Sequence, residues 1–431
     1  MSVGELDGEA VDICDSSPSD SFTYVQFLFR AYLMPFTYLF GIIANALNVI
    51  VFSQKTMRKQ PVNWFFLVLS LSDLTVLIAS FFVFSVPVYA EIADDIDFIR
   101  SSSYLIIWFY PLAQTGLTMS VYLTVLVSVH RYLGVCHPFL IRRISNSTGV
   151  KLVIASAVLF AFLFNTSRWF ELTTMPCLSN IHRRESLVVI PTELMVDGFY
   201  TVVYRNGAYT LVMFFFPFAI LTFVNLRIIG TLRNSYKMRR QMTMHPRKKK
   251  DVVPSTAETI SSINGNNSSS VTTNVLIQQN GTAHHSGSSQ ANDRKENGVT
   301  VMLVAITTEF LAFNLLAFAN NILELTGAFG QSALETLLVE VSALLVNING
   351  ASTIIIYMIF SSKYRNVFLR IVARIGTIFC GERKLSFLSG IQQFETTQLI
   401  DSKLDQNDTK NWKSSRRSNG DSVYKQRASQ A

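Results

Sequence analysis

Seven separated apolar stretches, each long enough to cross a bilayer as a helix, constrain this chain more than any other feature. They fall at roughly 29–54, 62–89, 103–136, 149–170, 204–234, 298–325 and 333–360. A helix needs about 20 residues to span the hydrocarbon layer, and a span that must satisfy its own backbone hydrogen bonds in lipid is a helix by default. Composition points the same way. Apolar residues make up 49% of the chain and charged residues only 15%, against about 25% charged in soluble proteins. That much apolar surface exceeds what a compact soluble core can bury. The expectation is an all-α membrane protein, a seven-transmembrane helix bundle with its two termini on opposite sides.

Charge in the loops sets the expected orientation. Lys55, Arg58 and Lys59 follow the first stretch, Arg142, Arg143 and Lys151 the third, and Arg233, Lys237, Arg239, Arg240 and the run 247–250 the fifth. The intervening loops are acidic, with Glu91, Asp94, Asp95 and Asp97 in one and Glu171, Glu193 and Asp197 in another. The first residues add Glu5, Asp7, Glu9, Asp12, Asp15 and Asp20. Basic segments are therefore expected inside the cell and the N-terminus outside. The net charge of +8 then reflects topology, not a nucleic-acid partner. The start MSVGELDGEA has no apolar run, so no cleavable signal peptide is expected. The implied organisation is an acidic extracellular tail over 1–28, a seven-helix domain over 29–380, and a cytoplasmic tail over 381–431. A Ser/Asn/Thr-rich cytoplasmic loop at about 236–297 (SSINGNNSSSVTTN) is too polar to pack and is expected to be disordered, as is the tail. Sequons there, such as Asn267 and Asn280, should stay unglycosylated on that side. Their hydroxyls would serve regulatory phosphorylation or a plain solvated linker.

An ionisable group inside a span costs about 2.5–3.5 kcal/mol on insertion scales, so each raises a functional question. Asp73 in LSLSD lies deep in helix 2, with Asn45, Ser120 and Asn349 at comparable depth in helices 1, 3 and 7, and Thr353 nearby. One carboxylate among neutral oxygens suits a sodium ion or a water cluster; the alternative is a hydrogen-bonded structural acid. At the end of helix 3, HRYLGVCHP places His130, Arg131 and Tyr132 ahead of His137-Pro138 in a basic loop. Arginine alone there could snorkel to headgroups. Four scattered cysteines form no CxxC pair, so no metal site is expected, and no catalytic constellation is visible.

Those stretches carry a resemblance. YPLAQTGLTMSVYLTVLVSVHRYLGVCHP (110–138), NTSRWFE (165–171), Pro217 and Asn225 in helix 5, EFLAFNLLAFANNILE (309–324) and NGASTIIIYMIFSSKYRNVFLR (349–370) resemble the rhodopsin-like (class A) G-protein-coupled receptors. More narrowly they resemble the invertebrate FMRFamide-type neuropeptide receptors, over about 30–375. The resemblance implies a plasma-membrane receptor in which Arg131 engages a heterotrimeric G protein, with arrestin as a further partner, and Tyr357 swings inward on activation. It also implies that Lys363–Arg370 forms a short amphipathic eighth helix on the membrane, with Val367, Phe368 and Ile371 toward lipid. Cys380 follows as a palmitoylation site or a plain reduced thiol.

Several positions depart from the family pattern. His130 stands where an acid usually restrains the arginine. Leu316 and Ile354 stand where helices 6 and 7 usually carry prolines, so straighter helices are expected. Glu309 puts an acid in the body of helix 6, for which Asn349 or a water chain is a candidate partner. Cys177 sits where the family's loop cysteine does, but its usual partner at the top of helix 3 is missing. Cys14 is the other extracellular cysteine, and a Cys14–Cys177 bridge would tie the tail over the binding mouth.

The ligand expectation follows from what the helices lack and what the outer face offers. Ala113 occupies the position that is aspartate in amine receptors, and helix 7 has no lysine for a retinal Schiff base. An acidic outer face lined with aromatics suits a cationic peptide with an aromatic end, such as an amidated Arg-Phe peptide. The candidate ligand residues are Tyr110, Gln114, Glu171, Asn321, Glu324 and Glu340. The alternative is a divergent orphan or chemosensory receptor with a non-peptide ligand or altered coupling. Internal repeats that would mark a transporter are absent, and Asp73 is the sole aspartate in mid-span.

Overall fold

The computed structural model describes residues 3–6, 9–12, 22–137, 139–141, 147–179, 183–244, 286–326 and 333–380. Among them, seven helices are long and apolar enough to cross a membrane. These are α1 (Tyr24–Phe52), α2 (Val62–Ala93), α3 (Ile96–Cys136), α4 (Ser147–Phe170), α5 (Tyr200–Asn234), α6 (Thr300–Leu325) and α7 (Ala333–Phe360). Two antiparallel hairpins accompany them, β1 (Val3–Leu6) with β2 (Glu9–Asp12), and β3 (Leu172–Ser179) with β4 (Arg184–Pro191). A second unit begins at Lys363, and all but the first residue of α8 (Ser362–Cys380) belongs to it.

Helix ends differ from the expected boundaries for local reasons. α1 begins at Tyr24, inside the presumed tail, because Thr23 and Gln26 close a capping box: Gln26 N–H donates to Thr23 Oγ1 and Thr23 N–H to Gln26 Oε1. Two orphan amides are satisfied at once. Helical backbone also continues beyond α5 to Met244 and precedes α6 from Ser286. The segment expected to be irregular over 236–297 is therefore helical at both ends. No glycine or proline interrupts 235–244. Residues 245–285 and 381–431 lie outside the described residues. α8 is longer than the expected Lys363–Arg370 and runs to Cys380, whose side chain lies outside the described ones. Along it, Tyr364, Val367, Phe368 and Ile371 are the less exposed side chains and Lys363, Arg370 and Arg374 are exposed, and Tyr364 stacks on Phe368 at 6.1 Å.

α3 is the hub of the bundle, packing against α2, α4, α5 and α6, while α7 closes the ring against α1 and α6. Val121, Val125, Met213, Phe214, Leu221 and Phe310 form the core where α3, α5 and α6 meet. Large apolar side chains such as Phe36, Leu152 and Phe223 point outward, the inversion a lipid solvent permits. Close approach of α1 to α2 and α7 requires Gly41, where a Cβ would lie 2.6 Å from Leu77 Cδ1 and 2.7 Å from Ala351 Cβ.

Three helices carry π-turns: Phe29–Leu33 in α1, Phe81–Ser85 in α2, and Tyr200–Ala208 with Leu211–Phe215 in α5. Such turns weaken the i→i−4 ladder and leave carbonyls in need of other donors. In α1 the donors come from α2: Ser85 Oγ–H donates to Arg30 O at 2.7 Å, and Tyr89 O–H to Ala31 O at 2.8 Å. α6 and α7, which lack the usual prolines, run as continuous α-helix.

Candidate functional site

A cavity of about 270 Å³ opens among α2, α3, α5, α6 and α7, slightly below the usual ligand-pocket range of about 300–1,000 Å³. Its walls are apolar (Leu117, Met213, Phe214, Val346) with polar groups from Ser80, Gln114, Tyr209, Asn314, Asn321, Ser342 and Asn347. No charged side chain lines it. Asn314, Asn321 and Asn347 each donate their amide N–H to the carbonyl four residues earlier, of Phe310, Ala317 and Ala343. Each of these amides keeps its second N–H as well as its carbonyl oxygen to offer. Asn347 Oδ1 is buried without a hydrogen-bond partner. The cavity is therefore neutral and lined by amides that offer both acceptors and donors.

Two buried ion pairs flank the bundle's polar interior. At the end of α4, Asn165 donates to Thr118 Oγ1 of α3 at 2.8 Å, and the following tight turn over Thr166–Phe170 turns Arg168 inward. Arg168 Nη1 donates to both Glu171 oxygens at 3.1 Å, and Glu171 also accepts from Tyr110 (2.9 Å) and Tyr200 (2.7 Å). The guanidinium lies 5.7 Å from the Tyr204 ring and 5.2 Å from the Tyr209 ring. Tyr209 in turn donates to Gln114 Oε1 in the cavity wall. Across the bundle, Arg30 of α1 donates through Nη2 and Nε to Glu340 of α7 at 2.5 and 3.0 Å. That guanidinium rests 5.6 Å from the Phe22 ring and 5.3 Å from the Phe84 ring.

Of the expected ligand residues, Gln114 and Asn321 line the cavity. Tyr110 and Glu171 belong to the Arg168 cluster, Glu340 is held by Arg30, and Glu324 lies exposed on α6. Two of the three acids expected to meet a cation, Glu171 and Glu340, are thus already paired with the chain's own arginines. Arg30, Arg168, Asn314 and Asn347 are site residues that pattern reading passed over. The signal was present, since Arg30 stands inside an apolar span where an unpaired charge is costly.

Deeper in the bundle, Asp73 is buried and accepts from Ser120 Oγ at 2.6 Å. The backbone of α7 packs straight onto it, since a Cβ at Gly350 would lie 3.6 Å from the Asp73 carboxyl carbon. The other two residues of the expected ion or water site do not bond to it. Asn45 donates to Gly41 O and Gly350 O, tying α1 to α7, and no hydrogen bond joins Asn349 to Asp73. Glu309 has a different partner from the one expected: Ser352 Oγ–H donates to its Oε1 at 2.5 Å, in place of Asn349. Ser352 lies about one turn past Asn349 along α7, which puts it level with Glu309.

At the basic end of the bundle His130 packs against Phe65, ring centres 5.7 Å apart, and Arg131 is half-buried beside it. Tyr132 lies 3.4 Å from His137 Nε2 and edge-on to Phe223 of α5. Tyr357 is fully buried, edge-on to Phe52 and Phe66 at 5.1 and 5.3 Å, while Asn48 reaches Thr353. At the opposite end, Ser103 of α3 donates to Leu187 O of β4 at 2.9 Å, so the β3–β4 hairpin is tied to α3 where the usual cysteine is missing. Cys177 is disulfide-bonded and β2 lies alongside β3; Cys14 lies outside the described residues. No cluster of metal-ligating side chains occurs among the described residues.

Comparison with known proteins agrees with this geometry. The family model described as "7 transmembrane receptor (rhodopsin family)" matches residues 44–357, and the chain belongs to that family: a multi-pass membrane receptor, not an enzyme. It is 22% identical over 352 residues to the FMRFamide receptor of Drosophila melanogaster, covering 80% of this chain and 54% of that protein. It is 28% identical over 208 residues to an FMRFamide peptide receptor of Caenorhabditis elegans, covering 48% and 46%. Similarity to the Drosophila melanogaster sex peptide receptor is 26% over 226 residues, covering 51% of each. The chain spans about half the length of these relatives.

Proposed function

We propose that this chain is a plasma-membrane receptor, N-terminus outside, for an amidated neuropeptide of the Arg-Phe-amide type, signalling through a heterotrimeric G protein. The observation that carries the reading is the uncharged, amide-lined cavity. A terminal carboxamide brings two N–H donors and no charge, which suits Asn314, Asn321 and Asn347, while the neighbouring phenylalanine ring suits the apolar walls. A free carboxylate brings only acceptors and a charge to desolvate. The names of the relatives support the ligand class. Arg131, Tyr132 and Tyr357 would form the G-protein end, with arrestin as a later partner, and α8 would lie on the membrane with Cys380 as its lipid anchor. Asp73 and Ser120 would supply two oxygens to a sodium ion, water supplying the rest; an ion there would neutralise the buried carboxylate.

The test pairs an amidated Arg-Phe peptide with its free-acid form on cells expressing the full chain. The expected result is at least a 100-fold loss of potency for the acid, about 2.7 kcal/mol, and a smaller gap in Asn347→Leu. Equal potency of the two forms would remove the carboxamide reading. The small uncharged cavity also suits a second reading, a divergent chemosensory receptor for a small neutral ligand; silence to every amidated peptide with a response to such a compound would select it.

A further inference from the structure

Glu340 is 1% exposed and its carboxylate is gripped by Arg30, a guanidinium held between two phenyl rings, Phe22 and Phe84. This is the recognition chemistry of an Arg-Phe pair, supplied by the chain itself. We infer that Arg30 is an internal surrogate for the ligand's arginine, and that a ligand guanidinium displaces it from Glu340 during binding. The inference rests on the peptide reading above and names the subsite for the residue before the terminal phenylalanine.

Position supports it. Phe84 forms one wall of the cavity and the opposite side of the Arg30 cage. Ser342 and Ala343, lining residues, follow Glu340 within one helical turn. A peptide whose carboxamide meets Asn347 therefore needs to pass only Phe84 to bring its preceding side chain to Glu340.

The backbone around Arg30 is poised to give way. Arg30 lies in the α1 π-turn and Phe84 in that of α2, and the Arg30 carbonyl is held by Ser85 of α2 and not only by its own helix. The two ion pairs differ in how firmly they are closed. Glu171 has three partner side chains, Arg168, Tyr110 and Tyr200, and Arg168 is 4% exposed. Among the described residues Glu340 has Arg30 as its one hydrogen-bond partner, and Arg30 is 17% exposed. The Glu171 pair is locked; the Glu340 pair can exchange. Exchange keeps the buried carboxylate paired throughout, whereas removal of Arg30 without replacement would strand it.

The test measures competition binding of an amidated Arg-Phe peptide and its citrulline analogue, which replaces guanidinium by a neutral urea of the same shape. The full chain is compared with Arg30→Gln, Arg30→Lys and Glu340→Gln. Freed of its competitor, Arg30→Gln should bind the arginine peptide at least tenfold more tightly, about 1.4 kcal/mol, with less than threefold change for the citrulline peptide. Glu340→Gln should bind the two peptides equally. If Arg30→Gln fails to reach the surface, Arg30→Lys, a point charge without the planar fork, should show a smaller gain of the same sign. Equal effects on both peptides, a weaker arginine peptide in the Arg30 variants, or a persistent arginine preference in Glu340→Gln would overturn the exchange. Wild-type binding with no Arg30 effect sinks this inference alone; no wild-type binding of either peptide sinks the ligand class with it.

Discussion

Replacing Arg168 by Met should destabilise this receptor more than almost any other single change in its outer half. Both partners are out of water, Arg168 4% and Glu171 0% exposed, so solvent screening does not shrink the interaction. At 3.1 Å the gross attraction is about 5 kcal/mol for an effective dielectric of ~20, and most of that offsets the desolvation of both ions. The measurable quantity is the cost of leaving Glu171 buried without its cation, about 3–5 kcal/mol. Two tyrosine hydroxyls remain, each worth about 1.5–3 kcal/mol to a charged acceptor, which places the expectation toward the lower end. At about 2–4 °C per kcal/mol, the detergent-solubilised full chain should lose roughly 6–15 °C of apparent melting temperature. Heating followed by fluorescence-detected size exclusion measures this directly. Because unfolding will be irreversible, scan rates must be matched. The double variant Arg168→Met, Glu171→Leu removes both charges and should recover more than half of the loss, since an apolar pair can replace a buried ion pair at little cost. A single-variant loss under about 3 °C, or a double variant as unstable as the single, would show that the cluster does not organise the end of α4.

Two further outcomes follow from the basic half. His130→Asp restores a carboxylate beside Arg131, and basal second-messenger output should fall severalfold at matched surface expression; unchanged output would refute a role for the missing acid. Ser352→Ala removes the hydroxyl that Glu309 accepts from, should cost about 1–3 kcal/mol, and should raise basal output by loosening α6 from α7; a variant as stable and as quiet as wild type would refute that link.

What could be seen in the sequence was governed by the length of the signal. Spans of about 20 apolar residues are long enough to average over exceptions, so all seven helices were legible, as was the absence of an amine-binding acid at Ala113. Side-chain partners were not, because they depend on helical phase across contacts distant in sequence. Arg30 and Glu340 are 310 residues apart, and nothing local marks either as the other's counter-charge. The acids of the outer face looked available because their arginines could not be placed. Nor could a pattern search find β3–β4, whose Thr-, Val- and Ile-bearing strands lie in a connection read only for charge. The π-turns carried a signal that went unread: Pro35, Pro87 and Pro217 each stand two residues past one, removing an amide donor from the helical ladder.

The missing prolines of α6 and α7 acquire a meaning once the side-chain links are placed. A proline-kinked helix can bend about its kink, but α6 is continuous and is held by side chains to both neighbours. Thr307 donates to Asn225 of α5 at 2.7 Å, Glu309 accepts from Ser352, and Asn320 donates to Leu338 O of α7 at 3.0 Å. An outward movement of α6 must therefore proceed as a rigid body that breaks these links together, and at about 1 kcal/mol each they set a barrier of a few kcal/mol. A ligand can only shift that balance through contacts that differ between the two states. Asn314 and Asn321 on α6 and Asn347 on α7 all face the cavity, so a carboxamide bridging them would be sensitive to the spacing of the same two helices whose separation the links oppose.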